Sequence, residues 1–137
     1  MNAQRASAAW FVAHGVHRPI VQTFYAVGTY ELLSNGAVRP IYAYALLRRS
    51  KDLREVPDPL AVWRALLADG GGAPRYVVLP LGQNPIEEQH FDEDAIRAAL
   101  FQVAQGKRVA VFGNRQGDPL LEVWELTPIA GAAGAID

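Results

Sequence analysis

The segment from Gln83 to Asp94 concentrates side chains that can do chemistry. Five carboxylates and one histidine fall within residues 87–94. Carboxylate oxygens suit hard cations, and a histidine nitrogen added to them suits a borderline transition metal. His90, Asp92 and Asp94 are therefore the candidate metal ligands. The same segment is also the candidate active site of an enzyme of the transferase or hydrolase type.

A structural interpretation of these acids is favoured over the chemical one. Asp92 can cap the helix predicted from Asp92 to Gly106, and Glu93 and Asp94 suit the positive end of its dipole. Acidic side chains at helix starts are routine for this reason. Metal binding or catalysis at this segment is therefore the alternative function, and not the leading one.

The residue types give little support to cysteine or serine catalysis or to a phosphate-binding loop. The chain has no cysteine, which excludes thiolate catalysis and disulfides. None of its three serines lies in a Gly-x-Ser-x-Gly motif. The triple glycine at 70–72 lacks the Lys-Ser/Thr of a phosphate-binding loop. We therefore expect no cofactor.

Charge and hydropathy restrict the partners. The chain has 13 basic and 14 acidic residues, a net charge of −1, with one basic run from Arg48 to Arg54. Such a balance does not favour nucleic acid, which selects strongly basic surfaces. No apolar run reaches the ~18 residues that a membrane span needs, and no signal peptide is recognised. The sequence therefore predicts a cytoplasmic protein without a membrane partner.

The elements that would position these residues are organised around a predicted β-hairpin from Ile20 to Arg49. Asn35-Gly36 lies between two apolar runs rich in β-branched and aromatic residues. This dipeptide is the strongest short-range hairpin signal because a type I′ turn requires positive φ at both central residues. Pro40 would place its nitrogen away from the first strand, which predicts that the second strand is an edge.

One face of this hairpin is the candidate partner-binding surface. Its residues include Tyr25, Tyr42, Tyr44 and Arg48. Tyrosine is enriched at interfaces because it buries a large area and keeps a polar tip. No charged residue lies between Arg39 and Arg48 to protect the edge. The leading function is therefore a small non-enzymatic interaction or regulatory module that binds a protein partner or forms a homodimer.

The whole chain is predicted to be one α+β domain with a mixed, mostly antiparallel sheet. The expected order is α-β-β-α-β-α-β-β over residues 1–126, with helices mainly on one face. Asp58 and Pro59 predict the start of a helix that buries Trp63. The strands near Arg75 and Arg108 flank one helix and are expected to run parallel. Residues 127–137 are predicted to form a flexible tail.

Overall fold

The computed structural model describes residues 3–22, 29–43, 46, 58–68, 75–81, 93–114, 116–117 and 119–129. Within them, four helices and a five-stranded mixed sheet form one α+β domain, which confirms the predicted fold class. The helices are α1 (Ala3–Ala13), α2 (Thr29–Leu33), α3 (Pro59–Ala68) and α4 (Glu93–Val103). The strands are β1 (Ile20–Val21), β2 (Ile41–Tyr42), β3 (Arg75–Pro80), β4 (Ala104–Gly113) and β5 (Pro119–Pro128).

The sheet has the order β2-β1-β3-β5-β4. β1 pairs parallel with both β2 and β3, through short ladders. β5 pairs antiparallel with β3 and with β4 through longer ladders. Because β3 and β4 are each antiparallel to β5, they run in the same direction, as predicted, although β5 lies between them.

The predicted hairpin from Ile20 to Arg49 is wrong. β1 and β2 run parallel, with Ile20 opposite Ile41 and Val21 opposite Tyr42. The helix α2 lies between them, so this part of the chain is a strand–helix–strand unit. Parallel neighbours need such a crossover, since a two-residue turn can only reverse the chain. The observed order of described elements therefore has one helix more than the predicted order.

The Asn35-Gly36 dipeptide ends α2 instead of turning a hairpin. Both residues have positive φ, 54° and 83°, as the hairpin prediction required. The amide of Gly36 donates to the Glu31 carbonyl at 2.8 Å, and that of Asn35 to the Leu32 carbonyl at 3.3 Å. This nested pair of bonds is a Schellman motif, in which the residue after the helix is left-handed. Gly15, with φ of 67°, ends α1 in the same way.

Helices cover both faces of the sheet, which corrects the expectation that they lie mainly on one. α3 and α4 cover the first face, where Trp63, Leu67, Ile96 and Leu100 pack on Ile20, Val77 and Leu79. α1 and α2 cover the second, where Phe11 and Tyr30 pack on Val21, Val78 and Val123. Alternate residues of one strand point to opposite faces, so each strand contributes side chains to the hydrophobic core on both faces of the sheet. Trp63 is fully buried, as predicted, and its indole donates to the Ile96 carbonyl at 3.0 Å.

Among the described strands, β2 forms an edge of the sheet, as Pro40 predicted. The amides of Arg39, Ile41 and Ala43 all donate toward the β1 segment, at 2.8, 2.9 and 3.0 Å. The backbone nitrogens of the residues between these three point away from β1. The nitrogen of Pro40, which cannot donate, therefore faces the sheet edge, the position where proline is tolerated.

The junction between α4 and β4 differs from the prediction. Gly106 was expected to stop the helix, but α4 ends at Val103 and β4 begins at Ala104. A Cβ atom at Gly106 would overlap the backbone carbonyl of Glu125 on β5. The glycine is therefore required by the close approach of two strands. The last strand, β5, extends to Pro128. Residues 130–137 of the predicted tail lie outside the described residues.

Candidate functional sites

An apolar groove lies beside the β2 edge on the α3 side of the sheet. Its volume is about 530 Å³. Among the described residues that line it, six are apolar and Arg18 is the one that is charged: Arg18, Ile41, Leu46, Ala61, Val62, Ala65 and Leu66. Leu46 is 53% exposed, and the two alanines are exposed on the outer side of α3. We call these residues the β2–α3 groove.

One wall of the groove is the outer side of α3. The Leu60 amide donates to the Asp58 carboxylate at 3.1 Å, and the helix begins at Pro59, as predicted. Trp63 and Leu67 bury one side of the helix in the core. Ala61 and Ala65 each lie two residues before one of these buried residues, so they face outward along the rim of the groove.

Of the four predicted partner-binding residues, the structure describes only Tyr42. Tyr25, Tyr44 and Arg48 lie outside the described residues. Tyr42 is half-buried against the core on the α1–α2 face, and its hydroxyl donates to the Glu31 carboxylate. Tyr42 therefore lies on the opposite face of the sheet from the β2–α3 groove. Its part in partner binding stays a prediction.

Of the three predicted metal ligands, the structure describes only Asp94. His90 and Asp92 lie outside the described residues, as does the segment from Gln83 to Asp92. Asp94 is exposed in the first turn of α4, where its negative charge interacts favourably with the positive end of the helix dipole. Within the described ranges, no three His, Cys, Asp or Glu residues are grouped closely enough to hold a metal ion. In the same ranges, no helix is long and apolar enough to cross a membrane.

A row of buried polar side chains crosses the sheet beneath the first two turns of α4. Leu79 on β3 is opposite Glu122 on β5. One residue beyond the β1–β3 register, Gln22 comes beside Leu79 on the other side. Gln22 and Glu122 are both 0% exposed. Two polar side chains therefore flank a core leucine, which is costly unless each is hydrogen-bonded or paired.

Glu122 is held by two arginines. Arg97 on α4 pairs with its Oε1 atom, and Arg108 on β4 lies 3.4 Å from Oε2. The guanidinium of Arg97 also lies over the rings of Phe101 and Trp124, at 5.5 and 6.0 Å from their centroids. The charge of the buried carboxylate is thus compensated by arginines that themselves remain partly exposed, at 38% and 52%.

The side chain of Gln22 makes one hydrogen bond to the described residues. Its Nε2 donates to Oε1 of Glu93, the first residue of α4, at 3.4 Å. Its own Oε1 is buried and has no hydrogen-bond partner in the part of the chain that the structure describes. Glu93 and Arg97 are four residues apart on one side of α4, which brings them over Gln22 and Glu122 respectively.

A pocket of about 200 Å³ opens beside this polar row. Its lining residues come from the carboxyl end of β3 and the start of α4: Leu79, Pro80, Leu81, Glu93, Asp94 and Arg97. The carboxyl ends of parallel strands are where α/β sheets bind ligands. The strand predicted near Arg75 is observed as β3, but none of Gln22, Arg97 and Glu122 was predicted to take part in a site. A single polar residue inside an apolar strand run, such as Gln22 after Ile20-Val21, was the available signal.

The other buried polar pair lies in the opposite core. Ser7 and Tyr30 hydroxyls are 2.7 Å apart, and the Ser7 hydroxyl also donates to the Gln4 carbonyl. Burial raises the pKa of Tyr30 to about 12, and the hydrogen bond with Ser7 offsets part of this rise. Both groups are satisfied within the core, so this pair joins α1 to α2 and offers no reactive hydroxyl.

Comparison with protein-family models, with curated proteins and with solved structures finds no match to this chain.

Proposed function

We propose that this protein is a small non-enzymatic interaction module that self-associates through the β2–α3 groove. The observation that carries the proposal is the apolar groove of about 530 Å³ at an edge of the sheet. Contiguous apolar surface beside a polar rim marks protein interaction sites, whereas single exposed apolar residues do not. A cytoplasmic location belongs to the same proposal, and the absence of cysteine fits a reducing compartment.

A second copy of the chain is the partner that the groove fits. One patch contains both a protruding apolar side chain, Leu46, and a concave wall of small residues, Ala61 and Ala65. An isologous interface uses the same patch twice, so it needs a projection and a recess side by side. Leu46 of each chain would enter the recess beside α3 of the other. Such pairing also covers the β2 edge on both chains at once.

Sedimentation equilibrium of the purified protein at micromolar concentration tests the proposal. We expect the mass of two chains, where one chain has a mass of 14.9 kDa. Ala65→Arg places a long charged side chain in the groove without touching the core, because Ala65 is exposed. We expect this variant to sediment as a monomer. Ala98→Arg makes the same change at an exposed position of α4, and it should leave the dimer intact.

A second variant pair removes the projection. Leu46→Asp should dissociate the dimer, whereas Leu32→Asp should not, although Leu32 is the more exposed leucine at 81%. Leu32 lies on α2, away from the groove. A monomer at all concentrations, or equal dissociation by the groove variants and their controls, would refute self-association through this surface.

A further inference from the structure

Two arginines lie side by side at the β2–α3 groove. Arg18 lines the groove, and Arg39 is its neighbour on the adjacent strand segment. The Arg39 amide donates to the His17 carbonyl at 2.8 Å. This bond extends the β1–β2 ladder by two residues, which places Arg18 beside Arg39. Side chains two residues apart on a strand share a face, so both arginines start from the face of Ile20 and Ile41, which is the groove face.

Neither of these two positive charges is paired with a carboxylate of the described residues. Arg18 is exposed, and Arg39 donates its Nε to the Gly36 carbonyl at 3.3 Å. Like charges at adjacent positions of neighbouring strands are unfavourable. An anionic group bound at Arg18 would relieve this repulsion, and a guanidinium can hold a carboxylate through two parallel hydrogen bonds.

Beyond Arg18, the described lining of the groove is apolar: Ile41, Leu46, Ala61, Val62, Ala65 and Leu66. The volume of about 530 Å³ lies within the ~300–1,000 Å³ of pockets that bind small molecules. Such pockets combine apolar walls with a few polar groups that orient the ligand. The groove therefore favours a ligand that has a hydrocarbon chain and one anionic end.

We propose that the β2–α3 groove binds a long-chain carboxylate, with its head group on Arg18 and its chain along α3. Arg39 adds a second positive charge beside the head group. The chain fills the recess beside Ala61 and Ala65, which Leu46 of a second copy would otherwise enter. The ligand and the second copy therefore exclude each other. This exclusion rests on the proposed function, whereas binding of the carboxylate does not.

The test of binding is a titration of the full chain with hexanoate, octanoate and decanoate, all below the concentrations at which they form micelles. The methyl signals of Ala61 and Ala65 in ¹H–¹³C NMR spectra report on the groove, and we expect saturable shifts. Affinity should rise about twofold to fourfold for each added methylene group, because each one leaves water for an apolar wall. Decyltrimethylammonium, which carries a positive charge on the same chain, should bind about tenfold or more weakly than decanoate.

Two variant pairs locate the ligand. Arg18→Gln should weaken decanoate binding about threefold to tenfold and leave the affinity for neutral decan-1-ol unchanged. Arg64→Gln is its control, since Arg64 is exposed on α3 but is not among the described lining residues. Ala65→Glu places a carboxylate in the groove and should abolish decanoate binding, whereas Ala98→Glu, at an exposed position of α4, should not.

The proposal is overturned if no shift appears, if affinity does not depend on chain length, or if decyltrimethylammonium binds as tightly as decanoate. Equal affinities of Arg18→Gln and Arg64→Gln for decanoate would also overturn it. Sedimentation separates this result from self-association. If the free protein is a dimer, saturating decanoate should convert it to monomers, and an unchanged mass would refute the exclusion. If the free protein is a monomer, self-association is refuted, and the titration still decides whether the carboxylate binds.

Discussion

Replacing Arg97 by methionine should destabilise the protein more than removing the carboxylate that Arg97 binds. Glu122 is 0% exposed, so its carboxyl group stays buried when its partner on α4 is removed. Removing one partner of a buried ion pair costs roughly 3–5 kcal/mol. Arg108 remains 3.4 Å from the other carboxylate oxygen and lowers this cost. We therefore expect Arg97→Met to lose about 3 kcal/mol, the lower end of that range.

The reverse deletion should be milder. In Glu122→Leu, the two arginines left behind are 38% and 52% exposed, so both can turn their guanidinium groups to water.

Methionine at position 97 retains contact with the rings of Phe101 and Trp124, since a thioether packs well on aromatic faces. The double variant Arg97→Met/Glu122→Leu removes both charges and should recover most of the loss, because apolar replacement of a buried pair is often neutral or stabilising.

Urea unfolding followed by circular dichroism measures all four proteins of this cycle, and Arg64→Met is the control. Arg64 is exposed on α3, and its replacement should leave the unfolding midpoint nearly unchanged. The reasoning fails if Arg97→Met matches the unchanged protein, or if Glu122→Leu is the more damaging single change. It also fails if the double variant is as unstable as the sum of the two single variants, because the pair would then not be coupled.

Two further predictions concern Tyr30 and Gly106. In the folded protein the pKa of Tyr30 is raised from 10.0 to about 12. The stability that the protonated phenol contributes is therefore fully present below pH 10, and it is lost as the pH rises from 10 to 12. This loss amounts to roughly 2–3 kcal/mol. The unchanged protein should therefore lose more stability than Tyr30→Phe over this range in urea unfolding, and parallel pH profiles would contradict the burial of the phenol. Gly106→Ala should cost roughly 1–3 kcal/mol because its Cβ would overlap the Glu125 carbonyl. Gln105→Ala, at an exposed neighbour, should cost much less, and equal thermal midpoints for the two variants would argue against the close strand approach.

Local signals were predictable from the sequence, but the pairing they implied was not. The positive φ of Asn35 and Gly36 followed from residue type, and it is observed. The same conformation serves a hairpin turn and a helix C-terminus, and only the flanking helix α2 distinguishes them. The short stretch Thr29–Leu33 combines β-branched and aromatic residues with the helix formers Glu31, Leu32 and Leu33, so local propensity does not decide between strand and helix. Burial of Tyr30 in the core stabilises the helix.

The buried polar row was missed for a related reason. An alternating strand such as β5 predicts that its polar residues face water, provided that one side of the sheet is exposed. Here helices cover both sides, so Glu122 faces α4 instead. The Asp58 cap, Pro59 and buried Trp63 were predictable because each depends on neighbours within one helix. Gln22 and Arg97 acquire their roles only from residues far away in the chain.

The position of β5 in the sheet has a consequence for synthesis. β5 is the last of the described strands along the chain, yet it lies between β3 and β4 and joins the two halves of the sheet. While the ribosome has made only the first four of the described strands, β3 has no antiparallel neighbour and β4 has no pairing partner among them. The nascent chain therefore exposes Val77, Val78 and Leu79 along an open strand edge until residues 119–128 emerge. A stop or slow translation before Pro119 should leave a chain that needs chaperone protection.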